Sequence, residues 1–149
     1  RTATVCDDPT APESLVEIPH ARPRRGDRAA TYFYEAHATV LAADLFASLA
    51  VQFDLAIWPG VTGYLTSDQR VTSQLVSVYE VDETMPFDRR RVRDWLRARG
   101  YGRVTIKKRG VDLDLPRLEK ELAGPGDATA IVCLAPSQGG VIAVMLKPL

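Results

Sequence analysis

The order of hydrophobic patterns after Gln74 constrains the fold of this chain most strongly. Residues 75–81 and 103–108 alternate between apolar and polar side chains, which predicts two strands. Residues 128–135 form a continuous apolar run, which is typical of a central strand, and residues 141–146 follow a turn rich in glycine. With a helical pattern after each of the first two strands, the order is β-α-β-α-β-β. This order predicts an α/β (α+β) fold, a small sheet with helices on one face.

The ends of both predicted helices carry capping signals. Asp88 is a suitable N-cap for a helix over residues 88–99, and Phe87 can pack on Val92 as a hydrophobic staple. Gly100 can take the left-handed conformation that ends a helix. Asp112 or Asp114 can cap the second helix, whose apolar face is Leu115, Leu118 and Leu122.

The first half of the chain is less regular. Residues 1–30 are rich in Pro, Asp and Arg and are predicted to be a linker or the tail of a missing catalytic domain, with one short alternation at 15–18. Residues 31–73 are predicted to be a connecting helical segment, with one long helix over residues 33–53 and Thr31 as its cap. Residues 74–149 form the third predicted region, a domain of their own.

Composition places the chain among soluble globular proteins. It is 46% hydrophobic and 26% charged, and charged or polar residues interrupt every long apolar stretch. The two cysteines, Cys6 and Cys133, lack metal-ligand spacing, so a reducing cytosol is the expected compartment. Because the first residue is Arg1 and not Met, we expect a piece of a longer protein.

Positive charge is concentrated in one window although the net charge is zero. Residues 89–109 contain ten Lys and Arg and a single acid, Asp94. Clustered cations of this kind are suited to phosphate contacts, and a solvated face or an acidic protein neighbour is the alternative. The predicted nucleic-acid-binding residues are Arg89, Arg90, Arg93, Arg97, Arg103, Lys107, Lys108 and Arg109.

The sequence carries no recognisable catalytic motif. It lacks a glycine-rich cofactor turn, a G-x-G-x-x-G fingerprint and a Walker loop. The two histidines, His20 and His37, stand alone, and no cluster with metal-ligand spacing is present. We therefore expect neither a catalytic residue nor a metal site within these residues.

The segment Gly-Tyr-Gly-Arg-Val-Thr-Ile-Lys-Lys-Arg-Gly-Val-Asp at 100–112 resembles the signature of the THUMP-like domain. That domain lies at the carboxy end of a group of bacterial class I methyltransferases, many of them actinobacterial. Three weaker motifs agree, at residues 32–35, 63–68 and 85–88, and the resemblance covers roughly residues 30–146. The match departs at Ala36, where the family commonly has proline, and this puts the start of the long helix in doubt.

The resemblance implies that the chain is an accessory carboxy-terminal region. The catalytic domain and its S-adenosylmethionine would lie upstream, with no cofactor in this chain. The implied partners are an RNA, either rRNA or tRNA, and the methyltransferase domain of the same protein. The resemblance implies neither a membrane nor a metal, and it implies a cytoplasmic protein. A structural or dimerisation domain that packs on the methyltransferase domain without touching RNA is the alternative, and a self-contained enzyme is disfavoured.

Overall fold

The computed structural model describes residues 1–149, and the chain divides into two compact units. Unit 1 comprises Arg1–Glu80 with Pro148–Leu149, and unit 2 comprises Val81–Lys147. None of the helices has both the length and the apolar character that crossing a membrane requires.

Unit 1 is built from a hairpin, two short helices and an antiparallel sheet. The elements are β1 (Thr2–Val5), β2 (Glu13–Val16), β3 (Tyr32–Ala36), α1 (Ala38–Ala42), α2 (Phe46–Gln52), β4 (Ala56–Ile57), β5 (Tyr64–Ser67) and the first residues of β6 (Val76–Pro86). The sheet order is β4-β5-β3-β6, and the separate hairpin is β1-β2.

The predicted long helix over residues 33–53 is wrong in its first part. Tyr32–Ala36 is a strand that pairs antiparallel with β5 on one side and with β6 on the other. Phe33 and Tyr34 are both completely buried although they project from opposite faces of the strand. A strand that is covered on both faces shows no clean alternation, so its apolar residues were mistaken for part of the helix that follows.

The rest of the predicted long helix is two short helices. The helix α1 begins after His37, whose Nδ1 accepts a hydrogen bond from the Thr39 amide at 3.1 Å. Asp44 between the helices has a φ of 57°, a left-handed conformation that no helix can continue through. Thr31 is not a cap, because its backbone amide and hydroxyl both donate to Asp68.

Residues 1–30, predicted as a linker or tail, contain ordered structure. The hairpin formed by β1 and β2 places Ala3, Val5 and Leu15 in the core of unit 1. The basic segment that follows is attached to β4, where the Gly26 amide donates to the Ile57 carbonyl at 2.9 Å. The boundaries predicted at residues 30 and 73 stay predictions.

Unit 2 has the element order that the sequence predicts. After the end of β6 come α3 (Arg89–Ala98), β7 (Tyr101–Lys108), α4 (Leu115–Leu122), β8 (Ala128–Ser137) and β9 (Gly140–Pro148). The strand order is β6-β9-β8-β7, with β7 and β8 parallel and β8 and β9 antiparallel. The predicted α/β (α+β) class is confirmed, and β8 is the central strand expected from its continuous apolar run.

Both helices of unit 2 pack on the same face of its sheet. Val92 and Leu96 of α3 and Leu118 and Leu122 of α4 share one buried cluster with apolar residues of the sheet. On β7 the residues in that cluster are Val104 and Ile106. Since side chains alternate along a strand, Arg103, Thr105 and Lys107 project from the opposite face. Tyr101 precedes a register irregularity in β7 and packs on the helix side.

The Asp88 cap provides a first prediction. Its carboxylate accepts a hydrogen bond from the Arg91 amide at 2.9 Å, as the sequence predicts for this residue. We expect Asp88→Ala to lower the free energy of unfolding by about 1 kcal/mol, because an amide of the first turn loses its acceptor. Urea unfolding measures this change. Asp94→Ala, which removes an exposed acid from the same helix, is the control, and an equal loss in both variants would contradict the capping role.

Candidate nucleic-acid interface

Three of the predicted arginines form a row on α3 that faces α4. Arg89, Arg93 and Arg97 are each four residues apart and so lie on one side of the helix. Arg89 makes a salt bridge with Glu121 at 2.7 Å, and Arg97 donates to the Ala123 carbonyl at 3.2 Å. Two of the three guanidinium groups therefore help to hold α3 against α4.

Arg93 lies between those two contacts and is half-buried. Its Nε is buried and has no hydrogen-bond partner in the structure. A buried donor without a partner costs free energy, so this arginine is not placed there for stability.

Arg90 lies in the first turn of α3 and is exposed. The first turn contains no acidic residue, although acids are the residues that the helix dipole favours there. Cations at this end cost about 0.3–1 kcal/mol each when exposed. Arg90 is thus a free cation that the fold does not require.

The predicted cations of β7 lie on the other side of the sheet. Arg103 and Lys107 are odd-numbered, so they project from the face opposite the two helices. Arg103 is exposed and pairs in register with the exposed Thr129 of β8. Lys107 is half-buried and has a contact of its own.

Lys108 is the last residue of β7, and Arg109 begins the turn that follows. Lys108 donates from Nζ to the Leu113 carbonyl at 2.8 Å, and this bond ties the end of the strand to the start of α4. Arg109 is half-buried and also engaged. Removing these two side chains would therefore disturb the turn as well as the surface charge.

The structure thus distributes the eight predicted residues over two faces of unit 2. Arg89, Arg93 and Arg97 lie along the boundary between α3 and α4, and Arg90 lies at the start of α3. Arg103 and Lys107 project from the opposite face of the sheet, and Lys108 and Arg109 lie at the end of β7 and in the turn after it. Of the eight residues, Arg90 and Arg103 are the two that are exposed and whose side chains make no hydrogen bond or salt bridge within the fold.

A second row on α3 was not selected from the sequence. Arg91, Trp95 and Arg99 are also four residues apart. Because each residue advances the helix by about 100°, this row is rotated by about 200° from the row that faces α4. The spacing of four, with an aromatic residue between two arginines, is the signal that could have identified it.

A shallow groove runs between α4 and the outer edge of β7. Its volume is about 620 Å³, and its charged lining residues are Arg103, Glu119 and Lys120. Glu119 accepts a hydrogen bond from the Ile106 amide at 3.4 Å, which covers part of the strand edge. The groove therefore extends the positive surface around Arg103 and is only partly open for strand pairing.

Two glycines of unit 2, Gly102 and Gly126, allow a close approach of backbone segments. A Cβ on Gly102 would lie 1.6 Å from the Gly126 carbonyl oxygen, and one on Gly126 would lie 1.9 Å from that of Gly100. The space beside these glycines is therefore filled by the chain's own backbone.

Metal ligands were not expected, and no group of three or more His, Cys, Asp or Glu is assembled in residues 1–149. Cys133 is buried in β8 and Cys6 is exposed, and neither is in a disulfide.

Comparison with known proteins agrees with the resemblance noted above. Residues 76–148 match the family model described as THUMP domain-like. None of the curated proteins matches the chain.

A crystal structure of a candidate methyltransferase from Porphyromonas gingivalis W83 is similar in fold. Its TM-score is 0.70 at 16% identity, and the match covers 85% of this chain and 31% of that chain. At this identity the likeness concerns the fold alone. The chain spans about a third of the length of that protein.

Proposed function

We propose that this THUMP-like region is the accessory part of a class I S-adenosylmethionine-dependent methyltransferase. In this proposal the region holds an RNA substrate, either rRNA or tRNA, for methylation in the cytoplasm. The cofactor would be bound by a separate domain of the same protein, because the sequence of this chain lacks a glycine-rich cofactor turn. The fold neighbour, a candidate methyltransferase about three times as long as the match, supports this arrangement.

The observation that carries the proposal is the set of exposed arginines on α3 and β7 that the fold does not need. Arg90 stands in a helix turn that disfavours cations, and Arg103 is exposed beside the groove along β7. Exposed cations of this kind neutralise phosphates and bind RNA without reading its sequence. Specificity would come from the shape of the RNA and from the catalytic domain.

The alternative is a structural domain that packs on the methyltransferase domain or dimerises without RNA. It is favoured by the cations that act inside the fold, such as Arg89 against Glu121 and Lys108 on the Leu113 carbonyl. These two side chains account for part of the basic window without any ligand.

Binding of bulk tRNA to the 149-residue chain at increasing salt tests the proposal. We expect the logarithm of the association constant to fall linearly with the logarithm of the salt concentration. In the double variant with Arg90→Ala and Arg103→Ala, the slope should be smaller by about two units, one for each lost phosphate contact. Thermal stability should not fall, because both side chains are exposed and Arg90 opposes the helix dipole.

The matched control removes the same charge from exposed arginines of unit 1, by Arg22→Ala and Arg70→Ala. We expect this control to keep the slope of the parent chain. An equal loss in both double variants would mean that only net charge matters. No binding of tRNA by the parent chain at low salt would favour the structural alternative.

A further inference from the structure

Trp95 contacts two other side chains at the end of α3, those of Arg99 and Tyr101. The guanidinium carbon of Arg99 is 4.0 Å from the centroid of the Trp95 ring. The Tyr101 ring is nearly parallel to the Trp95 ring, with an interplanar angle of 11° and centroids 6.1 Å apart. We name Arg99, Trp95 and Tyr101 the aromatic stack.

Arg99 is fixed in this position by two contacts. Its Nη1 donates to the Trp95 carbonyl at 3.3 Å, and the cation–π contact holds the guanidinium over the ring. Arg99 is nevertheless exposed. The side chain is thus ordered before any ligand binds, which reduces the entropy lost on binding.

The surroundings of the stack are positively charged. Arg91 lies one helical turn before Trp95 on the same side of α3 and is exposed. Trp95 itself is half-buried and leaves its Nε1 without a hydrogen-bond partner. A planar cation on an aromatic ring, beside a second free cation, can contact a base and its phosphate at the same time.

We propose that Arg99, supported by Trp95 and Tyr101, is a stacking platform for an unpaired RNA base, with Arg91 on an adjacent phosphate. The inference rests on the RNA function proposed above and specifies which part of the RNA is held. Bases inside a duplex are stacked on each other and cannot reach a guanidinium plane, so the platform selects an unpaired segment.

Binding of two RNAs to the 149-residue chain tests the platform: a short single strand without self-complementarity, and a duplex of the same length. Arg99→Lys keeps the charge and removes the plane. We expect it to weaken binding of the single strand by at least about fivefold, the lower end of base stacking energies, and to leave duplex binding unchanged. Arg91→Lys, on the same side of the helix, is the matched control and should preserve both affinities.

Tryptophan fluorescence provides a readout that a purely structural stack would not give. The chain has two tryptophans, and we expect the single strand to quench the emission of Trp95. The quench should be absent in Trp95→Phe, where Trp58 remains. If the parent chain binds both RNAs but Arg99→Lys binds the single strand equally well, the platform is refuted while RNA holding stands. If neither RNA binds at low salt, both proposals fail.

Discussion

Replacing Gly102 by alanine is expected to lower the free energy of unfolding by about 3 kcal/mol or more. The added Cβ would lie 1.6 Å from the carbonyl oxygen of Gly126 and 2.6 Å from its carbonyl carbon. Both atoms belong to backbone, so no side-chain rotation can relieve the overlap. The two segments would have to separate, which would also break the 3.0 Å hydrogen bond from the Gly124 amide to the Gly102 carbonyl.

Two other glycines of unit 2 provide graded controls for urea or thermal unfolding. Gly139, in the turn between β8 and β9, has open space around its Cβ position, so Gly139→Ala should change stability by less than about 0.5 kcal/mol. Gly100 also has open space but a φ of 76°, so Gly100→Ala should cost about 1–2 kcal/mol. If Gly102→Ala were no worse than Gly139→Ala, the close backbone approach would be refuted.

We expect Leu15→Ala to destabilise the protein by about 2–5 kcal/mol, the usual range for a buried leucine. Leu15 is completely buried in β2 and belongs to the core of unit 1 with Val40 and Leu49. Truncation removes apolar contacts and leaves a cavity that the surrounding residues fill only in part. Chemical unfolding followed by circular dichroism measures the loss.

The neighbouring residue is a matched control. Val16 is 62% exposed on the other side of the same strand, so Val16→Ala should change stability by less than about 0.5 kcal/mol. A linker would tolerate both substitutions equally. Equal, small effects would therefore support the sequence interpretation of residues 1–30 as a linker and contradict the packing of the hairpin.

These stability tests also bear on the proposed interface. The close approach at Gly102 fixes the start of β7 against the loop after α4, and Tyr101 and Arg103 flank that glycine. The aromatic stack, through Tyr101, and the exposed Arg103 thus lie next to the close backbone contact between Gly102 and Gly126. We expect this contact to hold Tyr101 and Arg103 in place for binding, and the tests with the RNA-binding variants depend on that.

The sequence by itself determined the order of elements in unit 2. Local signals were sufficient there, because Asp88 and Asp114 cap the helices and Gly100 takes the left-handed conformation that ends α3. The apolar run of β8 marked an interior strand, whose middle residues are buried between β9 and β7. Each of these features depends on residues that are close in the chain.

Only the tertiary structure decided that Tyr32–Ala36 is a strand and which side of α3 is free. The strand exists because β5 and β6, distant in sequence, satisfy its backbone on both sides. On α3 both rows of arginines have the same spacing of four, so the spacing alone does not tell which row faces α4. Packing of Val92 and Leu96 into the core sets the rotation of α3 about its axis. Arg89 and Arg97 then contact Glu121 and Ala123 of the α4 segment. Arg91 and Arg99 lie on another side of the helix and are exposed.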